Sequence, residues 1–285
     1  TAVGTDSLAT STTGCRNTAL GAGAGYAVTT GNRNTLIGQS AGPAITTGSQ
    51  NTGSGYRVFN FMTTGCLNTA HGYHAGYCTT SGCYNVSMGF AALRGTTTAS
   101  NNTAIGTCAL YNNTGGSNTA VGAVAMQNNT TGEYSIAMGR YALNDNSTGC
   151  RNAALGYAAM LSNTTASQNT AVGSCALYTN TTGTKNVALG HLAGCNTSTG
   201  SCNVFLGSCA CACVATYTNT VAIGHGAIAC TNNWFELGNS SQVVNLPGKL
   251  SIAGACGSAG YVMCTNGSGC IGWTSIAGAS GGVTC

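Results

Sequence analysis

The sequence predicts an all-β solenoid, a parallel β-roll built from stacked rungs of 17 residues. Three observations point there. First, an Asn-Thr-Ala-Leu-Gly-like pentapeptide ends on Gly4, Gly21, Gly38, Gly55, Gly72, Gly89, Gly106, Gly122, Gly139, Gly156, Gly173, Gly190, Gly207 and Gly224. That makes 14 copies at intervals of 17, apart from one interval of 16 between Gly106 and Gly122. Second, side chains around each glycine alternate with the period of two that a strand imposes. Third, a 17-residue unit holds two short strands and two turns but no helix of useful length. Such a unit cannot bury its own apolar face, so the copies must stack.

The strand comes first in each rung. Three residues before the glycine stands Thr or Val, two before it usually Ala, and one before it an aliphatic or Met in 12 of 14 copies, among them Leu20, Ile37, Met88, Ile105, Val121, Leu155 and Ile223. Positions one and three before the glycine share a face and carry the bulk. This reading makes the aliphatic column the core and leaves Ala on the opposite face. The Ala column then either fits a narrow interior or lies at contacts between associated rolls, and the pattern alone does not choose. Next come the turns. Asn occupies the fourth position before the glycine in 11 of the 13 copies that contain it, from Asn17 to Asn203. Both Asn and Gly tolerate positive φ, so these columns mark sharp bends. Ala follows the glycine by three in 12 of 14 copies, and a Thr-Thr-Gly-like turn leads to the next Asn. The 16-residue interval falls in Asn112-Asn113-Thr114-Gly115, which is therefore a loop. With rungs about 4.8 Å apart, the rod is roughly 65 Å long.

Composition removes several classes. The 44 glycines show no triplet period and prolines number 2, which excludes collagen. With 43% hydrophobic and 4% charged residues, the chain is not of a disordered type. A net charge of +4 without any Lys/Arg cluster gives no footprint for nucleic acid. No apolar stretch reaches the roughly 18 residues of a membrane span, so no membrane insertion is expected. The 17 cysteines point to an oxidising setting, extracellular or on a virion surface, and their odd number leaves at least one thiol free or bonded to another chain. The chain opens inside a repeat that lacks its leading Asn, as a mature or truncated chain would.

The segments Asn17-Thr-Ala-Leu-Gly21, Asn118-Thr-Ala-Val-Gly122 and Asn169-Thr-Ala-Val-Gly173 resemble the head repeats of trimeric autotransporter adhesins. They are still more similar to the repeats of phage and virus tail-fibre proteins. The resemblance spans residues 1–238 and implies a left-handed roll, with three chains packed side by side as a homotrimer. Residues 239–285 break the period and form a second, irregular β region. Within it, Gly260-Tyr-Val-Met-Cys-Thr-Asn-Gly-Ser-Gly-Cys-Ile-Gly-Trp273 is similar to an element near the end of many tail fibres. In that family a self-cleaving chaperone domain often follows, and Cys285 would be the end left by its removal. The cysteine content departs from the family.

Chemistry is sparse. The four carboxylates, Asp6, Glu133, Asp145 and Glu236, share no column, and the nearest two, Glu133 and Asp145, take different loop positions, against the close pairing that hydrolytic pairs need. His71 and Ser54 fill the aliphatic column on neighbouring rungs, as a satisfied internal pair or an ion site in a trimer, with no acid in register for a triad. Neither catalytic residues nor cofactors are expected. Cys66 and Cys83, and likewise Cys213 and Cys230, stand 17 apart and are expected to staple adjacent rungs. Cys264 and Cys270 flank a hairpin-like loop and could close it. Cys209-Ala-Cys211-Ala-Cys213 raises a metal site, but three sulfurs on one strand face stand too far apart for one tetrahedral ion, so disulfides are preferred. Sequons at Asn112, Asn129, Asn146, Asn163, Asn180 and Asn196 either carry sugars along one edge or arise by chance from the Asn-Thr-Thr-Gly turn. The residues just after the column glycine, among them Tyr56, Tyr73, Phe90, Arg140 and Tyr157, are candidates for display. The functional expectation is an adhesive or structural fibre segment whose partners are copies of itself and a host glycan or protein. The alternative is an extracellular filament joined end to end and by disulfides. A third reading is an ice- or mineral-binding solenoid with stacked threonines such as Thr29-Thr30.

Overall fold

The structure, a computed structural model, describes residues 1–243 and the strands Tyr261–Thr265 and Ile271–Ser275. Residues Thr1–Gln242 form one compact unit and Val243–Cys285 a second. The first unit is a parallel β-solenoid. Its rungs contribute strands of two or three residues, from Ala2–Val3 through Thr18–Leu20 and Ile136–Met138 to Phe235–Leu237, and all run parallel in one 15-stranded sheet in sequence order. The register is one repeat per step: Thr18 lies beside Thr35, Ala154 beside Ala171, and Leu189 beside Leu206. In the second unit, the two described strands pair antiparallel, with Cys264 opposite Gly272.

The interior reverses the assignment of faces made from the pattern. The Ala column is inside. Ala19, Ala104, Ala137, Ala154 and Ala171 are fully buried, while Leu20, Ile37, Met88 and Leu155 of the neighbouring column point to solvent. The reason is volume. Each rung folds back on itself so tightly that the strand's inner side meets a second file of alanines, Ala109, Ala125, Ala142 and Ala159, and bulk is carried by a further file beside them. That file runs Leu93, Leu110, Met126, Leu143, Met160 and Leu177. Where it lacks a side chain the Ala column compensates: Leu36 reaches over Gly25 and Gly42, and Phe59 fills the space above Gly53. Of the two readings of the Ala column, the narrow interior is the one observed.

The second strand expected in each rung is also replaced. After the glycine the backbone alternates between right- and left-handed conformations, with positive φ at Tyr141 and Leu143, at Ala158 and Met160, and at Cys175 and Leu177. Alternation lets the N–H groups of the two left-handed residues bond to opposite neighbours: Ala158 donates to Arg140 on the rung before, and Met160 to Ala176 on the rung after. Residues in this conformation cost on the order of 1 kcal/mol each, offset because every such N–H is satisfied. Only the last rungs build a true second strand, Cys211–Ala212 beside Ile228–Ala229.

Two files of asparagine tie the rungs together from inside. In the column four before the glycine, each carboxamide oxygen accepts the backbone N–H of the next Asn and each carboxamide nitrogen donates to a turn carbonyl. Asn34 Oδ1 accepts from the Asn51 N–H at 3.0 Å, and Asn34 Nδ2 donates to the Gly48 carbonyl at 2.9 Å. Ser135 and Thr220 replace Asn in this file; Ser135 Oγ accepts the Asn152 N–H at 3.1 Å. A second file, Asn113, Asn129, Asn146, Asn163 and Asn180, replaces the apolar Val28, Ile45 and Met62 of the earlier rungs. Buried polar groups persist only when paired, and here the pairing is periodic. The column glycines complete the stack: a Cβ on Gly156, whose φ is 135°, would lie 2.5 Å from the Gly173 carbonyl oxygen.

Candidate functional site

The surface divides into three parts with distinct chemistry. The first is the outer face of the sheet. It carries the aliphatic column together with Thr, Val and Ile from three before the glycine, so Met138, Ile136, Leu189 and Val187 are all exposed. Ser54 and His71 belong to this outer column; their strands pair in register, but both point away from the core, so the expected internal Ser–His pair is not formed.

The second part is the side of the roll after the column glycine, between Gly55 and Tyr111. Tyr56, Tyr73 and Phe90 stand one above another on three rungs, with ring centroids 5.4 and 5.2 Å apart. Four residues further along each turn lies a second file, Tyr77, Arg94 and Tyr111. The Arg94 guanidinium sits 5.1 Å from the Tyr77 ring and 5.4 Å from the Tyr111 ring, and its NH1 donates to the Tyr111 hydroxyl at 2.9 Å. His74 lies between the files, 3.9 Å from the Tyr73 ring and 4.4 Å from the Tyr77 ring. Arg57 covers the Tyr56 ring at 5.3 Å. Burial, reinforced by the Arg94 and Arg57 charges, holds the His74 pKa below its usual value, so the imidazole is neutral at pH 7. Its Nε2 has no partner among the described residues. Of the display candidates, Tyr73, Phe90, Arg140 and Tyr157 are exposed, while Tyr56 is partly covered by its neighbours. The sequence reading picked out Tyr56, Tyr73 and Phe90 singly and missed Arg57, His74, Tyr77, Arg94 and Tyr111. The repeated spacing was the available signal, because residues 17 apart must stack.

The third part is the sulfur. Cys213 and Cys230 form a disulfide with Cα atoms 4.9 Å apart, one rung spacing. Cys66 and Cys83 do not; both are free thiols, a correction to the expected staple. Their column serves as a hydrogen-bonding file, in which the Cys66 N–H donates to Cys83 Sγ at 3.2 Å just as the Cys83 N–H donates to Ser100 Oγ at 3.0 Å. In-register parallel neighbours point their side chains alike, so each sulfur faces a backbone N–H rather than the other sulfur. Cys264 lies in a strand whose side chains are not described, and Cys270 lies outside the described residues. Cys209, Cys211 and Cys213 do not share a strand face: Cys209 has φ 58°, Cys211 is buried and Cys213 is in the disulfide. Burial raises the thiol pKa of Cys195 and Cys211.

Of the two readings of the sequons, burial favours chance origin from the turn at four of the six, while Asn112 and Asn196 are exposed. Asn129, Asn146, Asn163 and Asn180 are fully buried. The carboxamide nitrogens of Asn146 and Asn163 donate to the preceding Asn oxygens at 2.6 and 2.7 Å, which leaves no accessible nitrogen for a sugar on the folded chain. The doubled threonines are engaged too: the Thr29 and Thr46 hydroxyls donate to the Thr46 and Thr63 carbonyls at 3.2 Å. Among the described residues no group of three His, Cys, Asp or Glu side chains could hold a metal ion. No family model and no curated protein matches the chain.

Proposed function

We propose that the chain is a structural, adhesive fibre segment on a virion or cell exterior, which works by rigidity and display and without catalysis. The observation that carries this is the outer sheet face. Its apolar file runs past 14 rungs, from Val3 to Leu237, broken only at Ser54 and His71. Soluble monomers rarely leave such a continuous apolar strip in water. A straight, in-register face is complementary to an identical straight face, so the occupant is a further copy of this chain. Three left-handed rolls around one axis, as in the adhesin heads and tail fibres that the repeats resemble, would bury all three strips together and leave the turn sides outward. The low charge and the hydrogen-bonded interior suit a rigid spacer.

Mass photometry on the intact chain tests this. A discrete trimer is expected, and a Met138→Asn/Leu155→Asn/Leu189→Asn variant should dissociate it while keeping its β-sheet circular dichroism. A wild-type monomer would refute the reading. A filament is the second reading, favoured by the exposed Cys15 and Cys202 thiols near opposite ends of the roll. Open polymers that shorten on reduction would select it.

A further inference from the structure

We propose that the aromatic and arginine cluster on the rungs from Gly55 to Tyr111 is a binding site for an acidic polysaccharide. Arg57 and Arg94 would hold its carboxylate or sulfate groups, and its sugars would run along the exposed edges of the stacked Tyr73 and Phe90 rings. The proposal deepens the adhesive reading and rests on it.

Charge comes first. The sequence has no Asp or Glu between Asp6 and Glu133, so Arg57 and Arg94 have no acid from their own stretch of chain to neutralise them. Guanidinium carries a fixed charge and a planar fork of donors that matches carboxylate and sulfate oxygens. Arg94 lies over Tyr77 and Tyr111, with NH1 engaged at the Tyr111 hydroxyl. Its other donors have no protein partner among the described residues. Part of the rotamer entropy that an anion would otherwise have to freeze is thus already lost. Arg57 is exposed above Tyr56.

Shape follows. The two files run parallel to the rod over three rungs each, with His74 filling the space between them. They form a straight track with a repeat of about 4.8 Å. Tyr73 and Phe90 are 45% and 54% exposed. An extended, repeating sugar chain offers C–H groups for the exposed ring edges and regularly spaced anions for the guanidinium groups. A peptide is less suited, because every strand in these rungs is already paired on both sides and offers no edge. Single-stranded nucleic acid needs open ring faces on which bases can stack, whereas the middle ring here, Tyr73, has both faces taken by Tyr56 and Phe90.

The test is biolayer interferometry with the full chain against immobilised polygalacturonate, dextran sulfate, neutral dextran and oligo-dT. At least tenfold tighter binding to one or both acidic polysaccharides than to neutral dextran is expected, weakening with salt. Polygalacturonate alone would identify carboxylate as the ligand group, and dextran sulfate alone would identify sulfate. Arg57→Gln/Arg94→Gln and, separately, Tyr73→Ala/Phe90→Ala should each lower affinity at least tenfold, with Arg16→Gln/Arg151→Gln unchanged. Circular dichroism checks each fold, and the exposed single variant Arg57→Gln, expected to lose several-fold, serves if a double variant unfolds. Equal binding of acidic and neutral polymers, binding unchanged in the Arg57/Arg94 variant, or tighter capture of oligo-dT would overturn the site. Mass photometry of the same samples separates the two claims: trimers that bind no polysaccharide sink only the site, and monomers sink the fibre.

Discussion

Two chemically identical substitutions in the inner asparagine file should differ in cost. In Asn34→Ala the lost carboxamide strands two buried groups. The Asn51 N–H loses its acceptor at 3.0 Å, and the Gly48 carbonyl loses its side-chain donor at 2.9 Å. In Asn152→Ala the Asn169 N–H is stranded in the same way, but the Ala166 carbonyl keeps a second donor, Asn163 Nδ2 at 3.1 Å. A buried polar group without a partner costs about 1–3 kcal/mol. Asn34→Ala should therefore lose about 2–6 kcal/mol and Asn152→Ala about half that. Because a stacked array need not unfold in one step, the sharper readout is native-state hydrogen exchange at the Asn51 and Asn169 amides, beside urea unfolding of each variant. Asn152→Ser should recover part of its loss, since Ser135 already serves as acceptor in the same file at 3.1 Å. Equal losses for Asn34→Ala and Asn152→Ala would refute the argument that the second asparagine file shares the load.

Gly156→Ala should destabilise by about 2–4 kcal/mol, combining a φ of 135° with a Cβ 2.5 Å from the Gly173 oxygen, while Gly226→Ala, at φ 64° with its nearest atom 3.5 Å away, should cost about 1 kcal/mol; urea midpoints compare them. Timed alkylation at pH 7.5, read by mass spectrometry, should label Cys15 and Cys202 fast and Cys195 and Cys211 slowest, because burial raises the latter pair's pKa and leaves less thiolate. His74 is held below its usual pKa, so its contribution to stability is complete above about pH 6.5 and is lost as pH falls below that value. The melting temperature should drop between pH 7 and pH 5, and His74→Asn should flatten that dependence; an identical slope in the variant would remove His74 as its source.

The period, the turns and the in-register stacking were legible because they need only spacing and the conformational habits of Gly and Asn. Which face was inside was not. Alternation reports two faces, and the larger side chains suggest the core unless the interior is too thin to hold them. The decisive clue was present at Leu36 and Gly53: in the Ala column a large residue goes with Gly25 and Gly42, and a missing one goes with Phe59. Such volume exchange happens only between residues in contact inside. The second strand was missed because alternating left-handed residues such as Leu143 and Met160 look like ordinary apolar positions in a sequence. At the candidate site, Tyr73 and Phe90 could be read from their column, but Tyr77 and Arg94 join them only once the turn brings positions one and five after the glycine to the same side.

The missing residue between Gly106 and Gly122 shows how such a chain tolerates change in size. The shortfall is absorbed before Asn118, whose N–H still reaches Asn102 Oδ1 at 3.0 Å, and Thr119 resumes its place beside Thr103. Length is therefore a nearly free variable. Unequal recombination between copies could add or remove whole units, moving whatever stands at the tip by one fixed step each time, and every rung beyond the junction would meet a neighbour it already fits.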